Sequence, residues 1–200
     1  MFIKASAFKK LIKNAWSKEG LTIGAADGEL FLAGGYWVIR VDREEIPNKI
    51  KAAIIELTGE LPTEGQVFTS RKGEDNQYEI AENGYWEITE RFKEAKIPLE
   101  VTQLKIESVT RNIRVLKLPD TGCVLVHDFY MELIDYSEVE EMEGKPEGPV
   151  TTGPVTGMLY WQNEIMTIAV DRIDPGYPGD EIYDLTEALG ILKLPEYKMK

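Results

Sequence analysis

Chemistry in this chain would have to start from very few side chains. Its 200 residues hold one histidine, His127, and one cysteine, Cys123. A Ser-His-Asp or Cys-His relay would have to use His127, and no nucleophile motif surrounds any Ser or the Cys. His127 lies at the start of an apolar helical pattern, where a capping or surface histidine is expected. Cys123 belongs to the apolar run Cys123-Val124-Leu125-Val126, the setting of a buried small hydrophobe rather than a reactive thiolate. A single Cys excludes an internal disulfide framework and a Cys-based zinc site, and a single His excludes a His-rich metal site within one chain. Gly34-Gly35 lacks the Gly-Lys-Ser/Thr that cradles phosphates in a Walker loop. No catalytic residue and no cofactor is therefore assigned.

Carboxylates are abundant: 35 Asp and Glu stand against 23 Lys and Arg, a formal charge of −12. The densest group is Glu138, Glu140, Glu141, Glu143 and Glu147, next to Asp128, Glu132 and Asp135. Such oxygens suit a hard divalent cation, and paired carboxylates suit acid–base hydrolysis. The group lacks the alternating Asp/Asn and central Gly of a calcium loop. The expectation is thus no metal site but a solvated acidic face of Glu132, Asp135, Glu138, Glu140, Glu141 and Glu143, suited to a basic protein partner.

The charge is uneven. Residues 1–51 carry nine Lys or Arg against six acids, whereas residues 128–147 carry eight acids and one Lys. Lys9, Lys10 and Lys13 form a basic helix face of the kind that phosphate contact needs, so DNA contact is expected through the first helix only. The chain as a whole is repelled by nucleic acid and by anionic membrane. No run approaches the ~18 apolar residues of a membrane span. The N-terminus leads into a lysine-bearing amphipathic stretch rather than an apolar signal region, so a cytoplasmic protein with no membrane partner is expected.

The elements that position these groups follow from periodicity. Phe8, Leu11, Ile12, Ala15 and Trp16 make one helical stripe, with Ser6 as its expected N-cap. Leu21–Ile23, Leu30–Leu32 and Tyr36–Val41, separated by Asp27-Gly28 and Gly34-Gly35, predict a three-stranded meander. Ile50, Ala53, Ile54 and Leu57 predict a second helix closed by Gly59, with Leu61-Pro62 beyond it. With Phe2–Lys4 as a leading strand, the unit is β-α-β-β-β-α.

That order recurs. Ile3 to Ile12 aligns with Leu125 to Ile134, and Leu30 to Arg43 aligns without a gap with Leu159 to Arg172, ending in a shared Val-Asp-Arg. Asp184–Leu189, Gly190 and Leu194-Pro195 match the second helix and its exit. The fold class expected is α+β, with internally duplicated β-α-β-β-β(-α) units and antiparallel meander sheets packed on helices. One compact body is expected: a first repeat over 1–62, an intervening segment over 63–115 and a second repeat over 116–200. Within the intervening segment, Gln66–Thr69 and Gln77–Ala81 read as strands, Asn83-Gly84 as a turn and Ile88–Lys96 as a short helix. Val101 to Val109 reads as extended, and Lys145 to Gly157 as a loop with short extended pieces.

Asp27-Gly28-Glu29-Leu30-Phe31-Leu32 resembles the "Asp-Gly-x-Leu-x-Leu" strand of the bacterial beta-clamp family of DNA sliding clamps. Val124–Ser137 resembles the strand and helix of that family's last domain, and Pro154-Val155, Gly157–Trp161 and Ile165–Arg172 resemble its later hairpin and strand. The resemblance covers about half the chain. It implies a ring or partial ring whose helices face DNA, with an outer apolar groove for short polymerase peptides. Lys9, Lys10 and Lys13 suit the DNA-facing part; Glu132, Asp135 and Glu138 on the second helix would repel phosphate.

The reading that results is a non-enzymatic, clamp-like accessory or interaction protein, suited to a phage or mobile-element setting, contacting DNA or replication-type proteins. It leaves homo-oligomerisation open. The alternative is an acidic protein-binding or inhibitor module that mimics DNA charge. A third is a carboxylate- or metal-dependent hydrolase.

Overall fold

The stripe of Phe8, Leu11, Ile12 and Ala15 is buried along the first helix, α1 (Ala5–Lys18). The computed structural model describes residues 1–79, 87–107, 112–137, 144–153, 157–176 and 178–192. Lys4, extended and without a side-chain cap, holds the N-cap position of α1; Ser6 lies inside the helix and does not cap it. Strands β1 (Leu21–Ala26), β2 (Glu29–Gly34) and β3 (Trp37–Asp42) form the expected meander. Asp27 at φ 54° and Gly28 at φ 79° make its first turn, the paired left-handed residues that match strand twist.

The second turn falls on Gly35-Tyr36 rather than Gly34-Gly35, and neither glycine has a positive φ. These glycines answer to close approach instead. A Cβ on Gly34 would run into the Trp37 indole, and one on Gly35 into the Glu19 carboxylate. Helix α2 (Asn48–Thr58) ends on left-handed Gly59, whose amide donates to the Ile55 carbonyl at 2.8 Å.

The remaining elements, in order, are β4 (Val67–Ser70), β5 (Gln77–Glu79), α3 (Ile88–Glu94), β6 (Ile97–Pro98), β7 (Glu100–Glu107), β8 (Asn112–Lys117) and β9 (Cys123–His127). They continue with α4 (Asp128–Leu133), β10 (Glu147–Thr151), β11 (Leu159–Gln162), β12 (Met166–Val170) and α5 (Glu181–Gly190). The fold is α+β with antiparallel sheets: a nine-stranded sheet ordered β5-β4-β1-β2-β3-β12-β11-β10-β6 and a three-stranded sheet ordered β7-β8-β9.

The two meanders join through β3 and β12. Ile39 stands opposite Ile168 at the centre of their ladder, with Trp37 opposite Val170 and Val41 opposite Met166. Ile39 and Ile168 are also the positions that the gapless alignment of Leu30–Arg43 with Leu159–Arg172 sets against each other. Just beyond the ladder, the Asp42 amide donates to the Ile165 carbonyl at 2.9 Å, and the Asp171 amide to the Tyr36 carbonyl at 2.8 Å. These two bonds occupy matching places in the same alignment.

Side-chain alternation distributes the core. Trp37, Ile39 and Val41 of β3, and Met166, Ile168 and Val170 of β12, point into the main cluster under α1, α2 and α4. Ala169 and Val38 point the other way, against Ile88 and Phe92 of α3. Coverage on both faces explains why Met166–Val170 is buried throughout. The small sheet is covered twice as well. Val124 and Val126 join the main cluster, while Cys123 and Leu125 pack with Leu189, Ile182 and Leu185 of α5. Phe2, Phe8, Phe68 and Trp161 are among the largest fully buried side chains, each worth about 1.5–3 kcal/mol by transfer from water.

Two further expectations need correction. Phe2–Lys4 is not a strand but a single bridge, Ile3 with Ile134, flanked by bonds from the Lys4 amide to Leu133 and from the Asp135 amide to Phe2. Helix α4 stops at Leu133, because Ile134 is drawn into that bridge. The second helices differ in placement: α2 packs on α1, whereas α5 packs on β9. Asn83-Gly84, Pro154-Val155 and Leu194-Pro195 lie outside the described residues.

Candidate functional site

Helical spacing divides the lysines of α1 between two faces. Lys10, Asn14 and Lys18 recur every fourth residue, so they line up on one side of the helix. Lys9 and Lys13 fall on the neighbouring stripe. All five side chains are exposed. Helix α1 contains four lysines and no acid; α2 adds Lys49 and Lys51 against one carboxylate, Glu56. The packed pair is therefore a basic layer in a chain of net charge −12. Lys9, Lys10 and Lys13 are legible in the sequence; Lys18 was missed at the end of the same helix, and Lys49 and Lys51 because the packing of α2 on α1 is a tertiary contact.

Beside this layer lies an open cleft of about 730 Å³, within the roughly 300–1,000 Å³ range of ligand pockets. Lys10, Asn14 and Lys18 form one wall. The β2–β3 turn supplies Gly35 and Tyr36, and Tyr36 is 60% exposed. Asn112 of β8 and His127, Phe129 and Glu132 at the β9–α4 junction also line the cleft, with buried Trp37 and Tyr130.

Several contacts hold this lining in place. The Glu19 carboxylate lies over Gly35, and the Tyr36 carbonyl is fixed by the Asp171 amide. His127 is half-buried at the N-cap of α4, its ring edge-on to Tyr130 with centroids 6.3 Å apart. Burial pushes the Tyr130 phenol up to about 12, with Asp171, Glu19 and Tyr36 adding to the rise. Tyr130 thus keeps its proton at neutral pH. Burial also raises the Asp171 carboxyl above its ordinary value.

Asp128 is buried and compensated. Its Oδ1 accepts from Arg114 Nε at 2.7 Å and its Oδ2 from Lys105 Nζ at 2.5 Å. Arg114 Nη1 also donates to the Thr102 carbonyl at 3.0 Å. The carboxylate adds little negative charge to the cleft, since two cations face it.

The expected acidic face is only partly visible. Glu132 is exposed and lines the cleft. Asp135 is buried: its Oδ1 accepts from the Ser137 amide at 2.9 Å and from Ser137 Oγ at 2.6 Å. It closes a turn and offers no surface to a partner. Glu138, Glu140, Glu141 and Glu143 lie outside the described residues.

Cys123 is buried, with Sγ donating to the Thr186 carbonyl at 3.3 Å, and burial pushes its thiol up to about 11. It lines a second cavity of about 350 Å³ between β9 and α5, together with Arg172 and Tyr183. Among the described residues, no group of three or more His, Cys, Asp and Glu side chains is placed to hold a metal ion. Among them, too, no helix is long and apolar enough to cross a membrane. Comparison with protein-family models, curated proteins and solved structures finds no match to this chain.

Proposed function

We propose that this chain is a non-enzymatic, clamp-like accessory protein that contacts DNA through the helix layer of its first half. The observation that carries the reading is the charge of α1 and α2, six lysines against one carboxylate on two packed helices. Phosphate contact requires a local cationic face and tolerates net negative charge elsewhere, because screening confines each field to about 10 Å at ordinary salt.

The clamp-like part of the proposal draws on the register of the large sheet. One sequence unit written twice would place equivalent residues across a local twofold axis. The Ile39–Ile168 pair and the two bonds Asp42–Ile165 and Asp171–Tyr36 lend support to that reading. The separate lodging of α2 and α5 is then a divergence between the two copies.

The test is anisotropy of a labelled DNA duplex titrated with protein at several salt concentrations. Log affinity should fall linearly with log salt, by roughly 0.9 per neutralised phosphate and about 3 to 5 overall for this face. Lys9→Glu, Lys13→Glu and Lys49→Glu together should abolish binding. Binding that ignores salt, or survives the charge reversal, would sink the proposal.

A second reading is an interaction module for a basic protein. Helix α5 favours it, since Glu181, Asp184 and Glu187 are exposed there with no base on the helix. Glu132 supplies a further exposed carboxylate.

A further inference from the structure

The cleft beside α1 is lined by Lys10 and Lys18, by the Glu19 and Glu132 carboxylates and by the exposed ring of Tyr36. We infer that it takes an unstacked nucleotide of a single strand, with the phosphates along Lys10 and Lys18 and the base against Tyr36. The inference rests on the DNA-contact reading above and names the form of DNA that this site prefers.

Four observations support it. Lys10 and Lys18 are separated by about 12 Å of helix, the reach of a stretch of backbone rather than of one phosphate. Tyr36 is an exposed aromatic on a pinned backbone, so a base stacking on it orders little chain that is not already ordered. Asn14 and Asn112 face the same space and carry the donors and acceptors that base edges require. The β9–α4 junction adds Glu132, an exposed carboxylate in the same lining.

That last feature selects between single strand and duplex. A duplex brings two phosphate backbones, and the second would meet the Glu132 carboxylate. It also keeps its base faces stacked inside, where Tyr36 cannot reach them. A single strand presents one backbone to the lysine wall and frees a base face for the ring. Of the other carboxylates of the lining, Asp128 interferes less, since it is paired with Arg114 and Lys105.

The experiment compares labelled oligo-thymidylate with a duplex of equal length, by anisotropy at fixed salt, for the full chain and its variants. The single strand should bind more tightly. Tyr36→Ala should weaken single-strand binding about tenfold, since a stacked base contributes ~1–3 kcal/mol, and should leave duplex binding unchanged. Tyr36→Phe should restore the single-strand affinity, and Glu132→Gln should narrow the gap by favouring the duplex. An exposed site makes these variants foldable, and a thermal melt of each verifies it. Duplex binding equal to or tighter than single strand, or a neutral Tyr36→Ala, overturns the cleft assignment while leaving the α1–α2 contact standing. Loss of salt-dependent binding to both DNAs overturns the two together.

Discussion

Ile39 and Ile168 face each other across the centre of the ladder that joins β3 to β12, and both are fully buried. Each isoleucine therefore packs against the other as well as against the core under α1. Ile39→Ala and Ile168→Ala should each destabilise the fold by about 2–5 kcal/mol in urea unfolding. The double variant should depart from additivity, since the two share one cavity. Additive losses would show that the two residues do not sense each other across the seam.

Asp128 is the carboxylate on which Arg114 and Lys105 converge. Arg114 and Asp128 are both buried, so removal of one charge strands the other away from water. Asp128→Asn should cost about 3–5 kcal/mol, whereas Asp128→Leu combined with Arg114→Met should recover much of that loss. Equilibrium denaturation of the single and double variants measures both. A single variant as stable as the parent would mean that the pair is not desolvated.

Alkaline pH should weaken the fold. Burial holds Cys123 at about 11, against 9.0 for a free thiol, and holds Tyr130 and Tyr136 at about 12, against 10.0 for a free phenol. A group raised in the folded state stabilises it fully below the unfolded value, and that contribution is lost as pH rises through the folded value. The contribution of these three groups should hold below pH 9 and decline between about 9 and 12. Denaturation midpoints across that range, with phenolate absorbance recorded in parallel, follow the loss. At pH 8 only about one thiol in a thousand would be ionised, so a disulfide reagent should react with Cys123 slowly until urea is added.

Much of the first half is legible in the sequence because its periods are unambiguous. A 3.6-residue stripe from Phe8 to Ala15 and period-2 alternation from Trp37 to Val41 each have one structural solution. Gly34-Gly35 was misleading because glycine serves two purposes. The chain uses it here to admit Trp37 and Glu19, not to reverse direction. Asp135 was misleading because acidic neighbours suggest a solvated face, while an Asx turn onto Ser137 buries it. A helical stripe does not name the sheet it covers, so the docking of α5 on β9 was not legible. Of the cleft lining, Lys10 is legible as part of the basic helix face, whereas Lys18 joins it only once the cleft is seen. Asn112, His127 and Glu132 reach the same cleft only through the tertiary fold.

The seam between β3 and β12 also sets a schedule for synthesis. The meander β1–β3 leaves the ribosome complete, yet the outer edge of its last strand has no neighbour until Met166–Val170 has been made. During that interval β3 is an open edge carrying Trp37, Ile39 and Val41, a template for pairing with another nascent chain. Arg40, the one charge within Trp37–Val41, sits in the middle of that edge. A charge there disfavours such pairing until β12 covers the edge.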